Sequence, residues 1–187
     1  MEFLLERKGI MKLGISGAQS VGKTTLLNAL RSEKGLLGFT ICDEVTRRVK
    51  GYGLPINEEG TDVTQNLIMQ EHIVNVFMYD YIITDRTALD GLVYTSYLHR
   101  KGKVSMETLI RAKGIFNKVW PKYNHIFYIE PEFDLIDDGV RSVDLKFRDE
   151  IADLFEMVID KEKLAVTRIK GAVRDRGTTI INILEGR

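Results

Sequence analysis

The sequence predicts an α/β domain in which helices sandwich a five-stranded, mostly parallel sheet in three layers. Three observations predict it. Short apolar runs alternate with longer amphipathic periods along the chain, which is the signature of stacked βαβ units. The first apolar run leads straight into a glycine-rich loop and then an amphipathic stretch. The length of 187 residues, with 44% hydrophobic and 29% charged side chains, suits one domain around one core.

The elements follow in order. Residues 12–16 read as the first strand, and 23–33 as a helix with Leu26, Leu27 and Leu30 on its inner face. Residues 39–42 form a short second strand. Gly51, Gly53, Gly60 and Pro55 mark residues 50–61 as a loop. Residues 62–79 read as a helix with Val63, Leu67, Val74 and Phe77 on or near one face. Residues 81–84 are a buried third strand. Two helices, 87–100 and 105–120, are split by the turn Lys101-Gly102-Lys103, and Pro121 stops the second. Strands at 125–129 and 164–169 and helices at 144–160 and 172–184 complete the pattern. The domain is expected to span 11–187, with 1–10 as an extension or scar; Phe3-Leu4-Leu5 is too short for a signal sequence.

Composition narrows the function. Lysine plus arginine and aspartate plus glutamate both total 27, so nothing attracts the whole chain to nucleic acid or an anionic membrane. No apolar run is long enough to span a bilayer. Cys42 is the only cysteine, which excludes an internal disulfide and a cysteine-based zinc site and fits a reducing cytoplasm.

The chemistry begins at Gly17-Ala18-Gln19-Ser20-Val21-Gly22-Lys23-Thr24, which matches the phosphate-loop pattern of the P-loop NTPases at every fixed position. Glycines let backbone N–H groups turn toward phosphate, and the following helix favours an anion at its start. Lys23 is expected to bridge the β- and γ-phosphates of ATP, Thr24 to ligate magnesium, and Thr25 to close the loop.

In parallel sheets ligands lie beyond the carboxyl ends of the strands. Strand three ends Ile82-Ile83-Thr84-Asp85-Arg86, so Asp85 is a candidate magnesium residue and, equally, a helix cap. Strand two ends Cys42-Asp43-Glu44, followed by Arg47 and Arg48. An acid here suits proton acceptance from an incoming hydroxyl, and strand register leaves Glu44 and Asp43 both open. Arg47, Arg48 and Arg86 are candidates for holding the acceptor. Asp137-Asp138-Gly139-Val140-Arg141-Ser142, with Arg148 beyond it, reads as a lid whose arginines neutralise charge in flight. Arg174, after the turn Lys170-Gly171-Ala172, is a candidate nucleotide contact, with Arg176 close by. His72, His99 and His125 read as structural, Tyr94 and Tyr97 as packing, and Tyr52 as the aromatic nearest the substrate.

These residues together resemble the NadR-like ribosylnicotinamide kinases and related small AAA-type P-loop kinases, many of them phage-encoded. The phosphate loop matches; Glu44-x-x-Arg47 is similar to the family's Glu-Tyr-x-Arg, Thr84-Asp85 to its Asp-Thr-Asp, and 137–142 to its Asp-Asp-Gly-Leu-Arg-Ser. The resemblance covers residues 11–184. It implies transfer of the γ-phosphate of ATP to a hydroxyl of a nucleoside-like acceptor, with Glu44 and Arg47 at the acceptor, Asp85 near magnesium and Arg141 in the lid. Arg86 after Asp85 looks more like thymidylate and deoxynucleoside kinases, and 51–61 has no counterpart. The acceptors in view are a nucleoside, a nucleotide, nicotinamide riboside, or a hydroxymethylated base in phage DNA. The alternative is a P-loop ATPase or nucleotide-gated binding module. A GTPase is disfavoured, because Asn117-Lys118-Val119-Trp120 lacks the guanine-reading aspartate.

Overall fold

The computed structural model describes residues 9–132 and 145–186. Its strands are β1 (Met11–Ser16), β2 (Thr40–Cys42), β3 (Tyr81–Asp85), β4 (His125–Ile129) and β5 (Thr167–Ile169), in the order β2-β3-β1-β4-β5. Every ladder is parallel, so the sheet is wholly rather than mostly parallel. Leu13, Ile15, Ile82, Ile83 and Ile126 through Ile129 are all buried, as expected of strands covered on both faces. The chain leaves β1 toward β2 on one side and later crosses to β4 on the other. Ligands bind in the crevice that such a reversal opens at the carboxyl edge.

The flanking helices are α1 (Lys23–Leu30), α2 (Val45–Gly51), α3 (Asp62–Met78), α4 (Ala88–Arg100), α5 (Met106–Val119), α6 (Leu145–Glu162) and α7 (Val173–Glu185). α1 packs with α7, while α4 packs with α5 and α6. Three hydroxyl residues start helices. Thr61, Thr87 and Ser105 each accept a backbone N–H of α3, α4 and α5 respectively. Thr87, not Asp85, therefore caps α4. At the other end of α3, the buried Lys12 ammonium donates to the carbonyls of Val76 and Tyr79, satisfying orphan acceptors there.

Two sequence expectations are corrected. The loop expected at 50–61 overlaps the end of α2, which takes in residues 50 and 51, and a short 3-10 turn at Asn57–Glu59 interrupts the rest. Val45 and Val49 are buried with Ile68, so the helix is held by tertiary contact. The second correction is larger. Val63, Val74 and Phe77 of α3 are exposed, while Thr64, Gln65, His72 and Asn75 are buried. The inward face mixes these polar residues with Ile68, Met69 and Val76, and Gln65, Ile68 and His72 of it line a cavity. Among the described residues no helix is long and apolar enough to cross a membrane.

Candidate active site

Register decides which loops meet. Ile15 pairs with Asp85 and Cys42 with Thr84, so β1, β2 and β3 end level. The glycine-rich loop 17–22 leaves β1 at that edge and runs directly into α1. Gly17 has φ +148°, and a Cβ there would come within 2.5 Å of the Ile129 carbonyl oxygen. Gly22, at φ +88°, occupies a left-handed conformation immediately before α1. The first turn of α1 carries no acid to compete with an anion.

Lys23 is almost fully buried and donates to the carbonyls of Gly17 (2.8 Å) and Ala18. Burial, followed by the nearby Arg86 guanidinium, lowers its pKa to about 7. The Thr24 hydroxyl donates to Asp85 Oδ2 at 2.7 Å. Asp85 Oδ1 is buried without a hydrogen-bond partner among the described residues. Burial and the Glu44 charge both push the Asp85 pKa up. A hydroxyl beside a carboxylate oxygen that lacks a donor fits a hard cation, and magnesium takes few protein ligands when phosphates supply the rest.

The acceptor-side residues separate. Glu44 is buried, with Oε1 accepting from Arg86 Nε at 2.6 Å and Oε2 from Arg47 Nε at 3.2 Å. Asp43 is exposed and pairs with Arg31, away from Glu44. Arg48 pairs with Glu71 at 2.8 Å on the surface of α3. Arg86 is buried at φ +73°, with its guanidinium carbon 5.0 Å from the centre of the Tyr94 ring and Nη1 3.6 Å from Asp90 Oδ1. Arg148, on α6, contacts its neighbour Asp149 at 3.3 Å. Arg174 is exposed on α7, whereas the buried Arg176 donates to the Val21 carbonyl at 2.7 Å and so braces the phosphate loop from behind. Arg141 and the expected lid at 137–142 lie outside the described residues.

Beside the phosphate loop is a small cavity of about 20 Å³, lined in part by Thr46, Asn57, His72, Arg86, Asp90 and Tyr94. Sequence reasoning missed most of these residues. Tyr94 is more than packing: its hydroxyl donates to Gln19 Oε1 at 2.8 Å, tying pocket to loop. The signal was present in α3, whose polar positions recur at helical spacing as Gln65, His72 and Asn75. Tyr52 is exposed at the end of α2 and is absent from the lining.

Strand, phosphate loop, buried lysine and the threonine–aspartate pair define the class: a P-loop nucleotide-binding fold. A family model described as an AAA domain matches residues 12–176, and the chain belongs to that family. No curated protein sequence matches it. Solved structures share the fold. NadR in complex with NR superimposes with a TM-score of 0.71 at 17% identity, over 95% of this chain and 51% of that one. This chain thus spans about half the length of NadR. A deoxyadenosine kinase from M. mycoides with product dCMP bound gives a TM-score of 0.66 at 17% identity, over 94% and 99% of the two chains. Thymidylate kinase from Candida albicans gives 0.62 at 14% identity, over 95% and 92%.

Proposed function

We propose that this chain is an ATP- and magnesium-dependent kinase that transfers the γ-phosphate to a hydroxyl of a nucleoside-like acceptor. One observation carries the reading: residues that line a pocket are hydrogen-bonded to the phosphate loop, Asp90 to the Gly17 N–H and Tyr94 to Gln19, and Arg86 of the same lining binds Glu44. A simple hydrolase has no need of a second pocket there. Solved proteins with the same fold include NadR in complex with NR and a deoxyadenosine kinase with dCMP bound, which supports the reading.

The loop N–H groups from Gly17 to Thr25 and the Lys23 ammonium cradle the phosphates. Lys23 exchanges its two carbonyl partners for phosphate oxygens. Thr24 and Asp85 would hold magnesium, which would supply positive charge to offset that of the phosphates. Glu44 accepts the proton of the acceptor hydroxyl, and Arg47 and Arg86 fix its two oxygens. Asp43 points elsewhere, so Glu44 is the better base. In a loose transition state this proton transfer is a modest part; alignment and charge neutralisation do most of the work. The lid role of Arg141, the acceptor contacts of Arg48 and Arg148 and the nucleotide contact of Arg174 rest on the sequence reading.

The test is ADP formation from ATP and magnesium across nucleosides, nucleoside monophosphates, nicotinamide riboside, and DNA with and without hydroxymethyluracil. Strong stimulation by one acceptor is the expected result. Equal hydrolysis with every acceptor and with none would replace the kinase reading with an ATPase.

A further inference from the structure

Four buried side chains form a path across the cleft. Glu44 follows β2, Arg86 follows β3, Gln19 lies in the phosphate loop after β1, and Tyr94 is on α4. Arg86 Nε donates to Glu44 Oε1 at 2.6 Å. The same guanidinium hydrogen-bonds the Tyr94 hydroxyl, and its carbon lies 5.0 Å from the centre of the ring. Burial pushes the Tyr94 pKa up, so the hydroxyl keeps its proton. A guanidinium only donates. It therefore takes the hydroxyl oxygen and leaves the hydroxyl proton for Gln19 Oε1, 2.8 Å away. Hydrogen bonds shielded from water in this way reinforce one another.

Two observations make Tyr94 the critical link. The Gln19 carboxamide has its other end free, since Nε2 is buried without a hydrogen-bond partner among the described residues. Removing the Tyr94 hydroxyl therefore releases that side chain. A parallel route through Asp90 is looser, at 3.6 Å from Arg86 and 3.4 Å from the Gly17 N–H, and bonds of that length constrain position less. The tie matters because Glu44 and the phosphate loop hang from different strands. In-line transfer needs reacting groups held in register, and a misplacement of about 1 Å can cost about a hundredfold in rate.

We propose that Tyr94 is a positioning residue for the transfer: its hydroxyl, held between Arg86 and Gln19, sets Glu44 in place relative to the phosphate loop. The assignment rests on reading this cleft as a kinase site with Glu44 as its base. Tyr94 acts through Arg86 and Gln19 and not on the reacting atoms.

Steady-state transfer is measured for the wild-type chain, Tyr94→Phe, Gln19→Met and the double variant. The substrates are ATP with magnesium and the member of the acceptor panel that most stimulates ADP formation. Tyr94→Phe keeps the ring against Arg86 and removes only the hydroxyl. Gln19→Met keeps the length of the side chain and removes the acceptor oxygen. Each should lower kcat on the order of tenfold, the scale of one buried hydrogen bond, and leave KM for ATP unchanged. The double variant should be no slower than the slower single one, because both changes remove the same bond. Wild-type kcat in Tyr94→Phe, losses that multiply in the double variant, or a raised KM for ATP with kcat intact overturns the proposal. Gln19→Met reaches the bond from the loop side and decides the matter where Tyr94→Phe fails to fold. A wild-type chain that transfers phosphate to no acceptor removes the kinase reading and this role with it. Full-rate transfer by both single variants removes this role alone.

Discussion

The phosphate side of the cleft draws Gly17 to Thr25 from one unbroken stretch, whereas the pocket beside it draws Thr46, Asn57, His72 and Tyr94 from four separate elements. Their electrostatics differ as well. On the phosphate side a buried carboxylate oxygen, Asp85 Oδ1, lacks a donor among the described residues, and a buried lysine makes do with carbonyls. On the pocket side Arg86 meets Glu44 and Asp90, and the unsatisfied group is the neutral His72. One half leaves charged groups without full partners, and the other pairs its charges and leaves a neutral ring unmatched.

The strongest way to break this contrast is to unbalance the pocket. Arg86→Met removes the guanidinium between Glu44 and Asp90, and should cost about 3–5 kcal/mol of stability because buried charge is left behind. Chemical denaturation reads it. Adding Glu44→Gln should return much of the loss, since both partners of that pair are then neutral; no recovery would mean that Arg86 acts through packing. On the other side, Lys23→Ala should reduce phosphoryl transfer on the order of 10³-fold while the circular dichroism spectrum stays unchanged. Retained transfer would remove Lys23 from the phosphate site.

The next effect depends on pH. His72 titrates at 6.5 when unperturbed and at about 3 in the fold, so the unfolded chain takes up its proton first. The contribution to stability is complete above pH 6.5 and is lost as pH falls toward 3. Between pH 6.5 and 5 the loss should be roughly 1–2 kcal/mol. Urea midpoints for His72→Phe should fall less steeply over that range; parallel curves would place the imidazole in a more polar setting. The smallest effect sharpens the assignment of the base. Asp43→Asn should shift stability by less than about 0.5 kcal/mol and leave turnover intact, because Asp43 is exposed and paired only with Arg31 among the described residues. A turnover loss approaching that of Glu44→Gln would move the base to Asp43.

Legibility followed contiguity. The phosphate loop could be read because backbone geometry, lysine and hydroxyl occupy neighbouring positions. Asp85 could be found from its place at the end of an apolar strand. The pocket was harder to read, because α3 has apolar residues on both faces: Val63, Val74 and Phe77 suggested one face, and the fold buries the other, Ile68, Met69 and Val76 together with Gln65, His72 and Asn75. Helix α2 was hidden for a related reason: seven residues make a marginal helix alone, and the burial of Val45 and Val49 against Ile68 stabilises it.

By itself the sequence determined the parallel α/β architecture, the nucleotide loop and the acids at the strand ends, since strand period and the phosphate motif are local properties of the chain. Only the tertiary structure decided that Glu44 rather than Asp43 turns inward, that Arg176 rather than Arg174 supports the loop, and that His72 faces a cavity. Those outcomes depend on which elements pack together and what they exclude from water, and side-chain burial of that kind is a property of the assembled sheet and helices.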